Sequence, residues 1–416
     1  MINNYIKLAL KVLGRRKFFT FISLFGISLT LVVLMVAAAI LDNFFAPQQP
    51  ESRFDRVIGI YTIGMYGERG GYTGNPGYRF VDQYVRPLRD AEMISVFSAQ
   101  STAVMYHAGR KIDTHVRRTD GNYWRILDFR FLEGGPFTEA DNQSANFVAV
   151  ITDDMRAKLY GGASALGKTF VLDGRRFRVA GVVKAVPITR TVGFSEIWTP
   201  IRTAKTRDYE TQWLGDFSAI ILARSRADFP KLRAEFDQRV STFTFEDPKR
   251  LNRIVAGLDT TFEAVARGFL GHGMSQKSRN PTMILRGVIL LAALLFITLP
   301  TMNLVSINLS RIMERASEIG VRKAFGASSR ALISQFVVEN VVLTVIGGAI
   351  GFALSAAVLA AISRVELVPY AVFHLNLRIF FYGMLLAMAF GILSGVYPAW
   401  RMSRMHPVQA LRGGAL

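Results

Sequence analysis

The sequence predicts an α-helical membrane protein with four transmembrane helices and a large α+β extracytoplasmic domain, made of βαβ-like halves and a strand-rich insertion. Three observations predict this fold class. Four stretches lack charged residues for long enough to cross a bilayer, and basic residues are concentrated beside the ends of these stretches. The long segment between the first two stretches alternates like the strands and helices of a folded domain.

The four uncharged stretches cover residues 18–41, 287–310, 340–363 and 379–400. At about 1.5 Å of rise per residue each reaches roughly 33–36 Å, which exceeds the hydrocarbon core of about 30 Å. We therefore predict transmembrane helices at 18–42, 283–310, 330–363 and 379–400. The first is too long for a cleaved signal peptide, whose apolar core has about 7–15 residues. Residues 1–17 have apolar positions near helical spacing with lysines between them, which predicts a cytoplasmic interfacial helix.

The basic residues predict the orientation. Of a chain with net charge +19, residues 1–17, 311–330 and 401–416 contain 13 basic and 2 acidic residues. Because basic residues that flank spans stay in the cytoplasm, we predict a multi-pass protein of the bacterial inner (plasma) membrane. Both termini, including the tail 401–416, and the loop 311–329 would be cytoplasmic, whereas residues 43–282 and the short loop 364–378 would lie outside. The remaining basic residues are spread along the chain, which argues against nucleic-acid binding.

Residues 43–282 are predicted to form the periplasmic or extracellular domain. Two porter-like βαβ halves at 54–107 and 211–275 would enclose an inserted strand-rich subdomain at 108–210. The Gly-rich stretch 66–77 predicts a mobile loop. Asp228 is expected to cap the N-terminus of a helix at 228–243.

The chain offers little for catalysis. It has no cysteine, and its five histidines show no metal-ligand spacing. Residues 162–169 match the phosphate-loop pattern GxxxxGK[ST], but a helix-like segment precedes them and a strand-like segment follows. That order is the reverse of the one that cradles phosphates. We therefore expect no catalytic site, no metal and no cofactor bound by this chain.

The cytoplasmic loop at 314–330 reads ERASEIGVRKAFGASSR and has helical periodicity up to Gly326. Apolar Ile319, Val321 and Phe325 lie among its charges, and Ser328 or Ser329 can cap the next helix. Two interpretations stay open. The segment is either a solvated loop that fixes topology or a short helix that docks into another protein.

Small residues line two of the predicted spans at intervals of four residues. These are Gly347, Gly351 and Ser355 in the third span and Gly383, Ala387, Gly391 and Gly395 in the fourth. Such stripes let helices pack closely in lipid, either within the chain or at a dimer interface. Glu339 is the one acid inside an otherwise apolar span, and both a structural and a functional role are open for it.

Several stretches resemble the MacB/FtsX-like permeases of ABC transporters. EIGVRKAFGAS at 318–328 resembles the most recognisable signature of that family, and YPAWRMSRMHPVQALR at 397–412 resembles its ending. In the outer domain, TDGNYWRILDFRFLEGGPFTEAD at 119–141 and LYGGASALGKTFVLDGRRFRVAGVV at 159–183 resemble recurring phrases of the MacB-like periplasmic core. The resemblance extends over nearly the whole chain.

The resemblance implies a permease subunit that forms a homo- or heterodimer with a second permease copy and works with a cytoplasmic ABC ATPase subunit. That ATPase would bind ATP and Mg. No ATPase domain precedes the first span, so we expect the ATPase to be a separate polypeptide. ATP-driven closure would then move the periplasmic domain, a mechanism called mechanotransmission. By position in the motif, the coupling residues would be Arg315, Glu318, Ile319, Gly320, Arg322, Lys323 and Gly326.

Two functions are compatible with this resemblance. The first is export or efflux of substrates from outside the inner membrane, with a periplasmic adaptor and an outer-membrane channel as further partners. The alternative is an FtsX-like signal transducer that transports nothing and controls a cell-envelope hydrolase. The large outer domain favours export.

Overall fold

The computed structural model describes residues 2–15, 17–107, 110–269, 281–314, 321, 325 and 328–403. The chain divides into two compact units. The helical unit comprises Met1–Asn43, Gly287–Leu367 and Val372–Leu416. The α+β unit comprises Phe44–Arg286 and Val368–Ala371.

The helical unit contains five long helices among its described residues. They are α1 (Ile2–Arg15), α2 (Lys17–Phe45), α9 (Pro281–Glu314), α10 (Ser329–Arg364) and α11 (Leu377–Ser403). Two segments are long and apolar enough to cross a membrane, Lys17–Phe45 and Ile333–Arg364. The apolar segments described in the other two helices, Pro281–Phe296 and Leu377–Ala389, are shorter. Two of the four expected spans are thus found at full length, and the other two stay predictions.

The helices of this unit pack around a small apolar cluster. Leu13 of α1, Ile27 and Leu31 of α2, and Leu343 of α10 are all buried there. The Ser28 hydroxyl of α2 donates a hydrogen bond of 2.9 Å to the carbonyl of Gly347 in α10. A hydroxyl–carbonyl bond between two helices requires close approach of their backbones, so α2 and α10 are packed at short range.

The α+β unit holds fourteen strands and six short helices among its described residues. The strands are β1 (Val57–Ile60), β2 (Ile63–Gly67), β3 (Gly70–Pro76), β4 (Ala91–Ser98), β5 (Ser101–His107), β6 (Arg110–Thr119), β7 (Phe131–Gly134), β8 (Val148–Thr152), β9 (Thr169–Leu172), β10 (Arg175–Val183), β11 (Ile197–Pro200), β12 (Leu214–Gly215), β13 (Phe217–Ala223) and β14 (Arg253–Ala256). The helices are α3 (Tyr78–Phe80), continued by a π-helical turn at Val81–Val85, then α4 (Tyr123–Ile126), α5 (Glu139–Gln143), α6 (Asp153–Tyr160), α7 (Phe229–Val240) and α8 (Thr261–Phe269).

Ten strands form one sheet in the order β1-β13-β4-β6-β11-β8-β10-β7, with β5 paired to β6 and β9 paired to β10. Strands β1 and β4 both pair antiparallel with β13, so they run parallel to each other with β13 between them. Beyond the other side of β1, Asp259 forms an antiparallel bridge with Gly59. The β1–α3–β4 segment is therefore a split βαβ unit with β13 between its two parallel strands. After α7 the chain passes through β14, which pairs with β2 outside this sheet, before it reaches Asp259.

The inserted region does not form a separate sheet. Strands β6, β11, β8 and β10 extend the sheet that begins with β1, and β6 meets β4 at the Phe97–Thr119 pair. The expected boundary between residues 107 and 108 falls inside the β5–β6 hairpin, whose strands pair from Ser101 to His107. Residues 101–107 thus belong with the insertion, because a hairpin pairs both of its strands whatever their composition.

The Gly-rich stretch differs most from its expectation as a mobile loop. Residues 63–76 form the β2–β3 hairpin within a second sheet of order β12-β3-β2-β14. Gly67 and Gly71 are needed because other atoms approach them closely. A Cβ at Gly71 would come within 2.6 Å of the Met65 carbonyl oxygen, and one at Gly67 would collide with the Arg250 carbonyl.

The helix predicted at 228–243 forms as α7, and Asp228 occupies its N-cap position. Its carboxylate, however, accepts hydrogen bonds from the Ser225 amide and hydroxyl, both at 2.9 Å. Asp228 therefore completes a capping box with Ser225 on the turn before α7. Pro230 lies in the first turn of α7 and has no N–H group, so one fewer donor there needs a partner.

Candidate coupling site

The predicted coupling residues lie outside the described residues. This applies to Arg315, Glu318, Ile319, Gly320, Arg322, Lys323 and Gly326. Between them, Val321 and Phe325 are described, and Phe325 is 88% exposed. The Ser328 side chain accepts a hydrogen bond of 3.2 Å from the Ala331 amide, which confirms the predicted serine cap of α10.

Two glycines of α10 face α2 of the same chain. A Cβ at Gly347 would lie 2.9 Å from Cγ2 of Ile27, and one at Gly351 would lie 3.2 Å from the Ser28 Cα. Real Cβ atoms are seldom this close to other heavy atoms, so any side chain here must push α2 away. These two glycines thus allow packing within the chain.

The glycines of α11 show the same behaviour where they are described. A Cβ at Gly383 would lie 3.0 Å from Cδ2 of Leu31 in α2, and one at Gly391 would lie 3.1 Å from Oγ1 of Thr344 in α10. Gly395 lies in α11, but its surroundings are outside the described residues. Glu339 is buried in α10, with 4% of its surface exposed, beside the buried Asn340.

Asn376 joins the end of α2 to the start of α11. Its side-chain carbonyl accepts hydrogen bonds from the amides of Arg378 and Ile379, at 3.1 and 3.3 Å, and so caps α11. Its amide nitrogen donates to the Asp42 carboxylate at 2.6 Å. Asn376 therefore connects the end of α2 directly to the N-terminus of α11.

A buried ion pair at the start of the α+β unit was not foreseen from the sequence. The chain that follows α2 passes Ala46 and reaches Glu51, and both groups are bound by Arg190. The Arg190 guanidinium donates to the Ala46 carbonyl at 2.7 Å and lies 3.6 Å from the Glu51 carboxylate. Both side chains of the ion pair are only 2% exposed.

The electrostatics of this pair follow from its burial. Burial raises the pKa of Glu51. The Gly193 amide, which donates a hydrogen bond of 2.9 Å to the Glu51 carboxylate, and the charge of Arg190 both act in the opposite direction. Burial likewise lowers the pKa of Arg190, against the opposing effect of Glu51. Loss of either partner would leave an uncompensated buried charge, which costs about 3–5 kcal/mol.

Arg190 belongs to a loop at residues 187–194, which we call the anchor loop. Arg117 of β6 donates to the carbonyls of Val192 and Thr191 at 2.6 and 3.0 Å, and the Tyr123 hydroxyl donates to Val192 at 2.8 Å. Arg117 and Tyr123 are both buried. The anchor loop is therefore fixed to the main sheet through β6 and to α4.

The anchor loop also contacts the segment Val368–Ala371, which belongs to the predicted short outer loop. The Ile188 amide donates to the Pro369 carbonyl at 3.4 Å. Next to it, the Tyr370 hydroxyl donates to the Asp154 carboxylate at 2.8 Å, and Asp154 forms an ion pair with Lys158 at 2.6 Å. Tyr370 has a φ of +61°, a conformation that is uncommon for a residue other than glycine.

Two side chains from different segments contact Phe262 of α8. The Phe45 ring, at the end of α2, meets the Phe262 ring edge-on with 5.0 Å between centroids. The Arg286 guanidinium, near the start of α9, lies 5.6 Å from the centre of the same ring. Together with Ala46, Glu51, Arg190 and Pro369, these residues form a set of contacts within the α+β unit, in parts of it that follow α2, precede α9 or follow α10 in sequence. We call this set of contacts the anchor.

The phosphate-loop match is a turn between a helix and a strand. Helix α6 ends at Gly161, and β9 begins at Thr169. The Gly167 and Lys168 amides donate to the carbonyls of Val179 and Ala165, and the Ala165 amide donates to the Glu133 carboxylate. A hydrogen bond from Arg156 lowers the pKa of Glu133 to about 2, so this carboxylate is charged at neutral pH. These three amide groups are therefore hydrogen-bonded to oxygen atoms of the protein itself.

The two phrases that resemble the MacB periplasmic core have structural roles here. Trp124 packs against the rings of Phe129, Phe137 and Trp198 at 4.9, 5.4 and 5.8 Å. The Asp120 carboxylate accepts hydrogen bonds from the Ser95 hydroxyl and from the amides of Val96 and Tyr123. The first phrase thus builds an aromatic core, and the second forms the end of α6, the turn after it and the β9–β10 hairpin. Among the described residues, no group of three or more His, Asp or Glu side chains could hold a metal ion.

Comparison with protein families gives two matches. The model of the MacB-like periplasmic core domain matches residues 20–239, and that of the FtsX-like permease C-terminal domain matches residues 290–407. The first match alone covers more than half of the 416 residues.

Similar proteins include two permeases of Bacillus subtilis (strain 168). The uncharacterized ABC transporter permease YknZ is 25% identical over 80% of this chain and 79% of its own length, and YvrN is 24% identical over 92% and 93%. The macrolide export ATP-binding/permease protein MacB of Bdellovibrio bacteriovorus is 29% identical over 66% of this chain. That alignment covers only 40% of MacB, so the chain spans less than half of this relative.

Solved structures that are similar to part of this chain include the periplasmic region of MacB from Actinobacillus actinomycetemcomitans. It is 14% identical with a TM-score of 0.37, over 52% of this chain and 94% of that one. The extracellular domain of the noncanonic ABC-type transporter YknZ from Gram-positive bacteria is 19% identical with a TM-score of 0.34, over 43% and 91%. On the strength of the two family models, which match most of α2 and of the α+β unit and most of helices α9 to α11, this chain belongs to the MacB/FtsX-like family of ABC transporter permeases.

Proposed function

We propose that this chain is the membrane subunit that couples ATP hydrolysis by a separate cytoplasmic ATPase to movement of its own extracytoplasmic α+β unit. The observation that supports this most is the presence of both family matches on one chain, a periplasmic core followed by a permease domain. YknZ, which is called a permease, aligns over 79% of its length, which fits an ATPase supplied in trans. The chain itself would hydrolyse no ATP, and turnover by the purified chain alone would contradict this.

The proposal places four spans in the membrane, both termini in the cytoplasm and the α+β unit outside. The exposed side chains of the long helices support it, because large apolar residues such as Leu290 of α9, Phe21 of α2 and Leu385 of α11 are 62–66% exposed. Such extended apolar surfaces are rare on soluble monomers and are expected where lipid or another helix covers them. The distribution of basic residues gives the orientation.

The anchor supports mechanotransmission as the mode of action. A motion of α2 that begins on the cytoplasmic side reaches Ala46 and Glu51, which are held by Arg190. Because separation of the buried ion pair would cost several kcal/mol, the anchor loop would move together with Ala46 and Glu51, the segment that follows α2 in the chain. Arg117 and Tyr123 then pass the displacement to β6 and α4, and so to the ten-stranded sheet.

The coupling helix would be formed by the loop residues named above, from Arg315 to Gly326, against the ATPase. Reversal of two charges, in Arg322→Glu/Lys323→Glu, should abolish co-purification of the ATPase while leaving membrane insertion intact. The matched control is Arg224→Glu/Arg226→Glu, which reverses two exposed charges in the α+β unit and should leave co-purification unchanged. Undiminished ATPase binding by the first variant would remove the coupling assignment.

Export is the favoured role over signalling. Besides MacB, the pyoverdine export ATP-binding/permease protein PvdT of Pseudomonas syringae pv. tomato is 26% identical over 72% of this chain and 42% of its own length. The names of both relatives support an exporter. The proposal adds that this exporter would work as a permease dimer with a periplasmic adaptor and an outer-membrane channel. The alternative is an FtsX-like transducer that controls a cell-envelope hydrolase. Neighbouring genes for an adaptor and channel would support export, and a neighbouring hydrolase gene would support the alternative.

A further inference from the structure

Helix α1 has an exposed row of basic side chains. Lys7, Lys11 and Arg15 follow one another at intervals of four residues, so they lie on one face of the helix, and all three are exposed. We call these three residues the basic face. The chain contains no Asp or Glu before Asp42, and the ion pairs of the described carboxylates do not involve the basic face.

The opposite face of α1 is fixed within the helical unit. Ala9 and Leu13 are buried, at 3% and 6% exposure, and Leu13 packs with Ile27, Leu31 and Leu343. The Thr20 hydroxyl donates to the Leu13 carbonyl at 2.9 Å, which ties the end of α1 to the start of α2. The orientation of the basic face relative to α2 and α10 is therefore set by packing.

Exposed apolar side chains lie beside the basic face. Ile6 and Leu10 are 36% and 49% exposed, and on the helix they fall between the buried Ala9–Leu13 side and the basic face. Helices that lie in a membrane interface have this division, with apolar side chains toward the acyl chains and cations toward the headgroups. A row of unpaired cations next to apolar residues is complementary to a lipid headgroup that has a negative charge.

We propose that the basic face of α1 binds the headgroups of anionic phospholipids. This inference rests on the membrane placement in the proposed function and adds a lipid class to it. The phosphate and any further acidic group of such a lipid would lie against Lys7, Lys11 and Arg15, and its acyl chains would lie along Leu10 and Ile6. Because α1 is packed on α10 and joined to α2, bound lipid would hold the first span at a fixed depth.

The test is native mass spectrometry of the full chain in detergent, titrated with phosphatidylglycerol or phosphatidylcholine. The wild type should prefer phosphatidylglycerol. Each cation near an anionic surface contributes about fivefold, so Lys7→Gln/Lys11→Gln/Arg15→Gln should weaken phosphatidylglycerol binding on the order of 100-fold. Glutamine retains the helix propensity of α1, and the buried residues are unchanged.

The matched control removes the same charge elsewhere. Lys111→Gln/Lys205→Gln/Lys231→Gln changes three exposed lysines of the α+β unit, with side chains 57%, 61% and 69% exposed, and should retain the lipid preference. Equal losses in both variants would show a net-charge effect only and would overturn the proposal. Inorganic phosphate at constant ionic strength should not compete with phosphatidylglycerol, and full competition would show a site for free phosphate instead.

A further measurement separates a lipid from a protein partner. The same variants are tested for co-purification of the ATPase. If the α1 variant loses the ATPase but keeps its lipid preference, the basic face binds protein and the proposal fails. If the wild type binds no ATPase yet prefers phosphatidylglycerol through these three residues, the proposed function fails while the lipid site stands.

Discussion

Arg190 fixes three separate parts of the α+β unit in one place. Its guanidinium binds the Ala46 carbonyl and the Glu51 carboxylate, and its own loop is held by Arg117 and Tyr123. Nothing in the sequence singles out this arginine among 50 basic residues. Its importance comes from burial, because loss of a buried partner lowers the free energy of unfolding.

The first prediction concerns this ion pair. Arg190→Gln should lower the free energy of unfolding by about 3–5 kcal/mol, because it leaves the Glu51 carboxylate buried without its cation. The double variant Glu51→Gln/Arg190→Gln should cost less than the sum of the single variants, since the two residues are coupled. Denaturant unfolding of the full chain in detergent, followed by tryptophan fluorescence, measures both effects. Arg224→Gln is the exposed control and should change stability by no more than about 0.5 kcal/mol.

Strictly additive losses in the double variant would contradict the coupling of Glu51 with Arg190. A loss in Arg190→Gln as small as that of Arg224→Gln would show that the pair is not buried as described.

The second prediction concerns pH. Burial raises the pKa of Asp120 to about 6, above its ordinary value of 3.8, although Ser95 and Val96 stabilise the charged form by hydrogen bonds. The folded state therefore binds a proton more tightly than the unfolded state between about pH 4 and 6. The contribution of this group to stability is fully present below about pH 4 and is lost as the pH rises through 6.

The measurement compares the wild type with Asp120→Asn across this range. The stability advantage of the wild type should shrink by up to about 3 kcal/mol from pH 4 to pH 7, because each pKa unit corresponds to about 1.4 kcal/mol. An advantage that grows with pH would show that the folded state favours the carboxylate, against the burial argument.

At the scale of elements, the glycines of α10 set how closely the helices pack. Gly351 faces the backbone of Ser28 and the Cβ of Leu31 in α2, whereas nothing lies within 4 Å of a Cβ at Gly26. Backbone atoms cannot move aside as a flexible side chain can. Replacement by a larger residue should therefore disturb packing at Gly351 and not at Gly26.

The third prediction follows from that contrast. Gly351→Leu should destabilise the helical unit by about 1–3 kcal/mol through overpacking, and Gly26→Leu should be nearly neutral. Thermal stability by size-exclusion chromatography of the detergent-solubilised chain measures the difference. Equal shifts in both variants would mean that Gly351 does not pack against α2 as the distances indicate.

Local pattern predicted helix α7 of the α+β unit. The helix expected at 228–243 forms at Phe229–Val240, and its apolar residues recur at helical spacing and are buried. The 66–77 segment was expected as a loop because glycine usually marks turns. Its place in the second sheet depends on the close approach of Arg250 to Gly67 and of Gln212 to Gly77, which are contacts between residues distant in sequence.

The coupling residues could be predicted from the sequence, whereas the anchor could not. The coupling residues were assigned from a contiguous motif, and they stay predictions because they lie outside the described residues. The anchor could not be inferred, because it joins Glu51, Arg190 and Pro369 from three separate segments. A polar residue in a loop and a buried ion pair look alike in a single sequence.

At the scale of the whole molecule, the account requires that two parts of one chain lie on opposite sides of a membrane. The cytoplasmic side would hold the coupling residues and the ATPase, and the outer side would hold the α+β unit. Helices α2 and α10 would connect the two sides through the anchor, so that an event at the ATPase changes the outer unit. If the α+β unit were cytoplasmic, neither export nor control of an envelope enzyme would follow.

Cysteine labelling of intact spheroplasts tests this arrangement most directly. The chain has no cysteine of its own, so Val171→Cys and Phe325→Cys, at positions 46% and 88% exposed, give single reporters without background. With a maleimide that cannot cross membranes, residue 171 should be labelled in intact spheroplasts and residue 325 only after permeabilisation. Labelling of residue 325 from outside, with residue 171 protected, would contradict the account.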